Sequence, residues 1–146
     1  MKIKRIDHIG IVVNDLEEVT ALYRDALGLP LTRVEENQEQ GVRIAFLPVG
    51  DSEVEILEPI DKTCGGVAAC LEKRGECMHH LCFEVEDIES ALQELAARGI
   101  RLIDQEPKVG AHGQKMAFLH PKSTHGVLIE LYERPSSGIE DVQPGS

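Results

Sequence analysis

The chain has 146 residues, 42% of them hydrophobic, and a formal net charge of −11. That is enough apolar material for one domain or two small packed halves, and no run approaches the roughly 20 apolar residues needed to cross a bilayer. The acidic balance argues against nucleic acid, whose phosphates require a basic surface; a small anionic ligand is still compatible, and the many carboxylates suit a divalent cation.

The N-terminal stretch "MKIKRIDHIGIVV" lacks the apolar run and small-residue cleavage site of a secretory leader, so a cytoplasmic location is expected, with no membrane partner. Strand-like alternation places His8 on one face with Ile6, Gly10 and Val12. A helix pattern comes next, in "NDLEEVTALYRDALGL". Asp15 is its N-cap, Leu16, Val19, Leu22, Tyr23 and Ala26 are its apolar side, and Gly28 ends it. Two further strand patterns, "GVRIAFLPVG" and "SEVEILEP", complete residues 1–60. Residues 61–76, around "DKTCGGVAACLEKRG", read as a connector with a short helix.

The same phrase then recurs. "MHHLCFEVEDIESALQELAARGI" places His80 72 residues after His8, and Asp87 72 after Asp15. Its helix pattern buries Ile88, Ala91, Leu92 and Leu95 and closes at Gly99. An independent marker agrees: "AFL" occurs at 45–47 and again at 117–119. Glu55 in "SEVEILEP" matches Glu130 in "GVLIELYERP" at an offset of 75, the three extra residues falling in the turn "HPKSTHG". The expected fold is therefore α+β, two paired β-α-β-β-β modules forming a curved mixed sheet around a metal-binding cup. The modules are residues 1–60 and 77–134, and residues 135–146, "PSSGIEDVQPGS", read as a flexible tail.

Duplication changes the meaning of four residues. A single strand-end histidine is usually structural, and a single strand glutamate usually faces solvent. At matched places in a repeated unit, His8, His80, Glu55 and Glu130 become two related His/Glu pairs. Glu55 stands between Val54 and Ile56, and Glu130 between Ile129 and Leu131, so each is a charge set into an apolar strand and needs a partner. One cation bound by two imidazoles and two carboxylates would supply it, and such an N/O set suits Co, Ni, Zn, Mn or Fe with two open positions if octahedral. His79 points to the opposite face and reads as supporting or structural. His112 is a candidate substrate contact, whereas His120 and His125 read as surface residues. The four cysteines, Cys64, Cys70, Cys77 and Cys82, contain no CxxC pair and read as reduced thiols rather than disulfides or a zinc site, with Cys82 a small apolar filler.

Paired β-α-β-β-β modules with His/Glu on strands resemble the vicinal-oxygen-chelate (glyoxalase-like) superfamily. Within it, "EENQEQGVRIAFLPVGDSEVEILEP", "GECMHHLCFEVEDIESAL" and "EPKVGAHGQKMAFLHPKSTHGVLIEL" resemble the methylmalonyl-CoA epimerases, over about residues 6–132. That resemblance implies metal ligands at His8, Glu55, His80 and Glu130, the four already marked by the repeat. It implies one divalent ion per site (Co, Zn, Mn, Ni and Mg are not separated by sequence), an acyl-CoA substrate and a homodimer. The implied reaction interconverts the 2R and 2S forms of methylmalonyl-CoA, with Glu55 and Glu130 as acid/base groups or, alternatively, a single base shuttling the proton. The "GAHG" loop and "HPKS" turn would then offer His112, Gly113, Lys122 and Ser123 to the substrate carboxylate or CoA phosphates, although Lys122 reads equally well as an ordinary turn lysine. Some members carry an additional acid on the third strand, where this chain has Ile44. The rival expectations are glyoxalase I, an Fe(II) ring-cleaving dioxygenase, and a metal-free small-molecule-binding protein of the same fold.

Overall fold

A computed structural model describes residues 1–110 and 112–135. The chain divides into two compact units. The first is His8–His79; the second joins Met1–Asp7 to the residues from His80 on. The division falls inside two strands, β1 (Ile3–Val12) and β5 (Cys77–Val85).

In the first unit, β1 leads into helix α1 (Leu16–Ala21), and strands β2 (Arg33–Asn37), β3 (Val42–Val49) and β4 (Ser52–Pro59) come after it. β2, β3 and β4 form an antiparallel meander, and β4 pairs in parallel with β1. The alternation expected of half-buried strands is present: Ala45, Leu47 and Ile56 turn to a core shared with Val13 and Leu16, leaving the intervening residues on the other face. Asp15 caps α1 by accepting from Glu18 N at 3.1 Å, and Gly28 leaves the helical region at φ +78°.

The helix departs from its expected register near its end. Leu22–Ala26 form a π-helical turn, closed by Leu27 N donating to Leu22 O at 3.1 Å. The wider turn shifts the facing of its own residues. Leu16, Val19 and Tyr23 keep their places against the core, but Leu22 is 53% exposed and Ala26 is also exposed, contrary to the 3.6-residue pattern. Helix α2 (Gly66–Arg74) occupies the stretch between β4 and β5.

The second unit repeats the plan. After β5 come α3 (Ile88–Ala97), a two-residue strand β6 (Lys108–Val109), β7 (Lys115–Leu119) and β8 (Ile129–Glu133). β6, β7 and β8 are antiparallel, and β8 pairs in parallel with β5. Asp87 caps α3 through Ser90 N at 3.1 Å. The helix buries Ile88, Ala91 and Leu92, with Leu95 packed against the same core as Leu119 and Leu131. The three additional residues between β7 and β8 are absorbed by a 3-10 turn, Pro121–Ser123.

Register carries the duplication down to the residues of interest. Across β4, Glu55 faces Gly10 on one side and Phe46 on the other. Across β8, Glu130 faces Cys82 and Phe118. Those neighbours, like the "AFL" segments, are offset by 72 residues. Of the tail expected at residues 135–146, all but residue 135 lies outside the described residues.

Candidate metal centre

Each unit holds one His/Glu pair. In the first, His8 sits two residues before Gly10 on β1, and so shares a sheet face with Glu55. Its Nδ1 lies 3.4 Å from Glu55 Oε2, with the side chains 10% and 13% exposed. In the second, His80 sits two residues before Cys82 on β5. Its Nε2 lies 3.4 Å from Glu130 Oε1, and both side chains are 9% exposed.

These distances bear on metal binding. They are longer than the roughly 2.7–3.2 Å of a good N–H···O bond. Two donor atoms each about 2.1 Å from one ion stand about 3.4 Å apart at a tetrahedral angle and about 3.0 Å at a right angle. Neighbouring nitrogen and oxygen donors on rigid strands, taken largely out of water, are the donor chemistry a borderline divalent ion prefers. Each pair therefore offers one nitrogen and one oxygen donor at a spacing that fits such an ion.

Another buried carboxylate lies on β5. Glu84 follows His80 and Cys82 on the same face of β5 and is 2% exposed. It accepts from Arg5 Nε at 2.7 Å, with Arg134 Nε at 3.4 Å and Lys4 Nζ at 3.7 Å. Arg5 in turn reaches Asp7 at 2.9 Å. This carboxylate is compensated by protein cations. Beside it on β8, Tyr132 has its hydroxyl pushed above the usual phenol range, first by burial and then by the negative charge of Asp7.

Two phenylalanines, one from each "AFL", complete the pairs and were not picked out from the sequence. Phe118 lies across from Glu130 and packs its edge against His80, ring centroids 6.1 Å apart at 82°, which restricts imidazole rotation. Phe46 lies across from Glu55 but carries Arg33 instead, whose guanidinium carbon is 3.8 Å from the ring centroid. The signal was present: Phe46 stands between core-facing Ala45 and Leu47, so it must project with the glutamate. Ile44 lies opposite Glu35 and Leu57 on the neighbouring strands.

The loop residues expected to meet substrate have defined local roles. Gly110 N donates to Gln114 O at 2.8 Å, and His112 N to Gln114 Oε1 at 3.0 Å. A Cβ on Gly110 would stand 2.3 Å from Gln114 Nε2, so a larger residue there would require the Gln114 side chain to swing away. Gly113 takes φ +86° and donates to Gly110 O. His120 is half-buried and caps the 3-10 turn, its Nδ1 accepting from Lys122 N at 3.1 Å; it is a turn-forming group rather than a surface bystander. Ser123 Oγ accepts from Arg101 N at 2.8 Å, so its hydroxyl ties two loops together. Lys122 and His112 are exposed. A separate groove of about 500 Å³ runs along α3, lined by Leu92, Ala96, Leu102, Pro107 and Val109, and contains none of the four His/Glu residues.

No helix among the described residues is long and apolar enough to cross a membrane. Residues 7–118 match the Glyoxalase/Bleomycin resistance protein/Dioxygenase superfamily. The chain is 37% identical over 130 residues to mitochondrial methylmalonyl-CoA epimerase of Mus musculus, covering 89% of this chain and 73% of that protein. It is 39% identical over 131 residues to ethylmalonyl-CoA/methylmalonyl-CoA epimerase of Cereibacter sphaeroides, covering 88% and 97%. Among solved structures, a methylmalonyl-CoA epimerase in complex with methylmalonyl-CoA and NH4+ superposes with a TM-score of 0.82 at 37% identity, over 93% of this chain and 97% of that one. With its glyoxalase-like α+β fold, the chain belongs to the methylmalonyl-CoA epimerase family of that superfamily.

Proposed function

We propose that this chain is an epimerase that interconverts (2R)- and (2S)-methylmalonyl-CoA. The observation that carries the reading is the His/Glu pair written at the same register in both units of a chain 37% identical to a named epimerase. His8, Glu55, His80 and Glu130 are assigned to one divalent ion. Neither pair alone reaches the three or four protein ligands typical of a stable site, whereas the two together do. When bound, the ion supplies Lewis-acid stabilisation of negative charge developing on substrate oxygen.

The chain's own groups do the rest. The C2 proton is acidified by the thioester and carboxylate that flank it, and its removal leaves an enolate. Glu55 and Glu130 are the acid/base groups: one carboxylate takes the proton from C2, and the other returns a proton to the opposite face. Their burial limits competition from water for that proton. Phe118 holds the His80 ring, and through it the neighbouring Glu130, in a fixed orientation. Ile44 stands where some family members have an acid, which leaves the reaction to the two ligand glutamates. His112, Gly113, Lys122 and Ser123 are assigned to the CoA side of the substrate, with exposed Lys122 as the cation for an anionic group.

The deciding experiment incubates purified protein with one epimer of methylmalonyl-CoA in D₂O and follows the C2 proton by NMR. Inversion with deuterium incorporation is expected. Ethylmalonyl-CoA is run in parallel, because the Cereibacter sphaeroides relative is named for both substrates. No turnover of either acyl-CoA, with loss of the methylglyoxal–glutathione adduct instead, would make the chain a glyoxalase. The chain is expected to act as a homodimer, checked by light scattering of the eluted protein. A cytoplasmic location is part of the proposal; since the mouse relative is named mitochondrial, imaging of the tagged full chain is its test.

A further inference from the structure

Two cysteines meet away from the His/Glu pairs. Cys70 lies on α2 and Cys77 is the first residue of β5, both within the first unit. Their Sγ atoms are 3.7 Å apart, and both side chains are half-buried free thiols. The approach is built by the chain between them. Gly75 ends α2 at φ +76° and donates to Leu71 O at 2.9 Å, which turns the backbone so that Cys77 returns beside Cys70. Only glycine adopts that conformation without strain. The other two thiols differ in place: Cys64 is exposed, and Cys82 is fully buried in β5.

We propose that Cys70 and Cys77 form a redox-modification site, a dithiol that closes to an intrachain disulfide by exchange with a low-molecular-weight disulfide. One cysteine releases its proton to solvent, and its thiolate attacks a sulfur of the external disulfide. A mixed disulfide forms and one small thiolate leaves. The second cysteine, deprotonated in turn, attacks the protein sulfur of that mixed bond and expels the second small thiol. The protein dithiol is oxidised by two electrons and the external disulfide is reduced to two thiols. Closing the bond shortens the sulfur separation from 3.7 Å to about 2.05 Å.

Burial pushes the Cys70 thiol above its ordinary range, the contact with Cys77 adds to this, and Arg74 opposes it. Cys70 is thus disfavoured as a thiolate, consistent with a thiol that survives until a disulfide is presented. The bond would tie the middle of α2 to the first residue of β5, three residues before His80. This inference does not rest on the epimerase reading, because its readouts need no substrate.

The test treats the full unsubstituted chain, in its native state, with oxidised glutathione. Cross-links are mapped by mass spectrometry of a non-reduced digest. A peptide pair joined at Cys70 and Cys77, lighter by two hydrogens and released by dithiothreitol, is expected. The melting temperature should rise by roughly 5 °C, since an eight-residue ring restricts the unfolded chain. In Cys77→Ser the same treatment should leave a stable glutathione adduct on Cys70 and no rise. Separate adducts on both cysteines, a link through Cys82 or Cys64, or no reaction at either residue would overturn the assignment. Mapping in the unsubstituted chain decides the question even where the serine variant folds poorly.

Discussion

Replacing Glu130 by glutamine removes a proton carrier while leaving its shape. The substitution keeps an oxygen that can face His80 and loses no methylene, so the strand between Ile129 and Leu131 should pack as before. The melting temperature should move by less than about 3 °C, the range of a sub-kcal/mol change in a chain of this size. The catalytic loss should be far larger. Losing one acid/base group costs about 10²- to 10⁴-fold in rate, or roughly 3–5 kcal/mol of barrier. Glu55→Gln should cost about the same, because Glu55 and Glu130 share register and have side-chain exposures of 13% and 9%. The two variants should differ in stereochemistry. In D₂O one should exchange the C2 proton of one epimer without inverting it, its remaining carboxylate removing and returning a proton on its own face. The other variant should do this with the opposite epimer. Both variants are run on both epimers by NMR, with bound metal measured alongside. Parental epimerisation by either variant would show that its glutamate is not a base. Failure of both to exchange either epimer, with metal retained, would refute the two-base assignment.

Purified protein should carry about one divalent ion per chain by elemental analysis, and chelation should abolish epimerisation and lower the melting temperature; full activity in metal-free protein would remove the ion from the mechanism. His80→Ala should weaken metal binding at least about tenfold, since even supporting groups around a metal cost that much, whereas His79→Ala should do much less. Equal sensitivity on titration with metal would mean that the facing assigned to β5 is wrong. Asp87→Ala should destabilise the protein near neutral pH in urea unfolding, and the difference from the parent should fade as the pH falls below the ordinary carboxylate range. The Ser90 backbone N–H, then its hydroxyl, hold the Asp87 carboxyl below the usual range. A depressed folded-state value contributes stability that is present above the unfolded value of about 3.9 and is lost as pH falls through the folded value. A pH-independent difference would assign the effect to something other than the charged cap.

The sequence by itself determined the duplicated plan and singled out its matched His/Glu residues. Periodicity assigns a face, capping assigns an end, and a fixed offset equates residues between copies. Those three local signals were enough to mark His8, His80, Glu55 and Glu130 as two related His/Glu pairs, and to place three extra residues in the turn before β8. They also located α3 from Asp87 to Gly99. What they could not supply is the identity of the neighbour across a strand or beyond a turn. That depends on register and on how backbone geometry accumulates. A single π-helical turn puts Leu22 in solvent although the apolar spacing says otherwise. The two equivalent phenylalanines diverge, Phe118 packing on His80 and Phe46 beneath Arg33, because β2 brings an arginine to one of them. Glu84 reads as an ordinary strand glutamate until the start of β1 brings Arg5 against it from 79 residues away. The Cys70–Cys77 approach likewise exists only because Gly75 reverses the chain between helix and strand. Each of these contacts is a matter of tertiary placement, and the chain's local pattern carries no term for it.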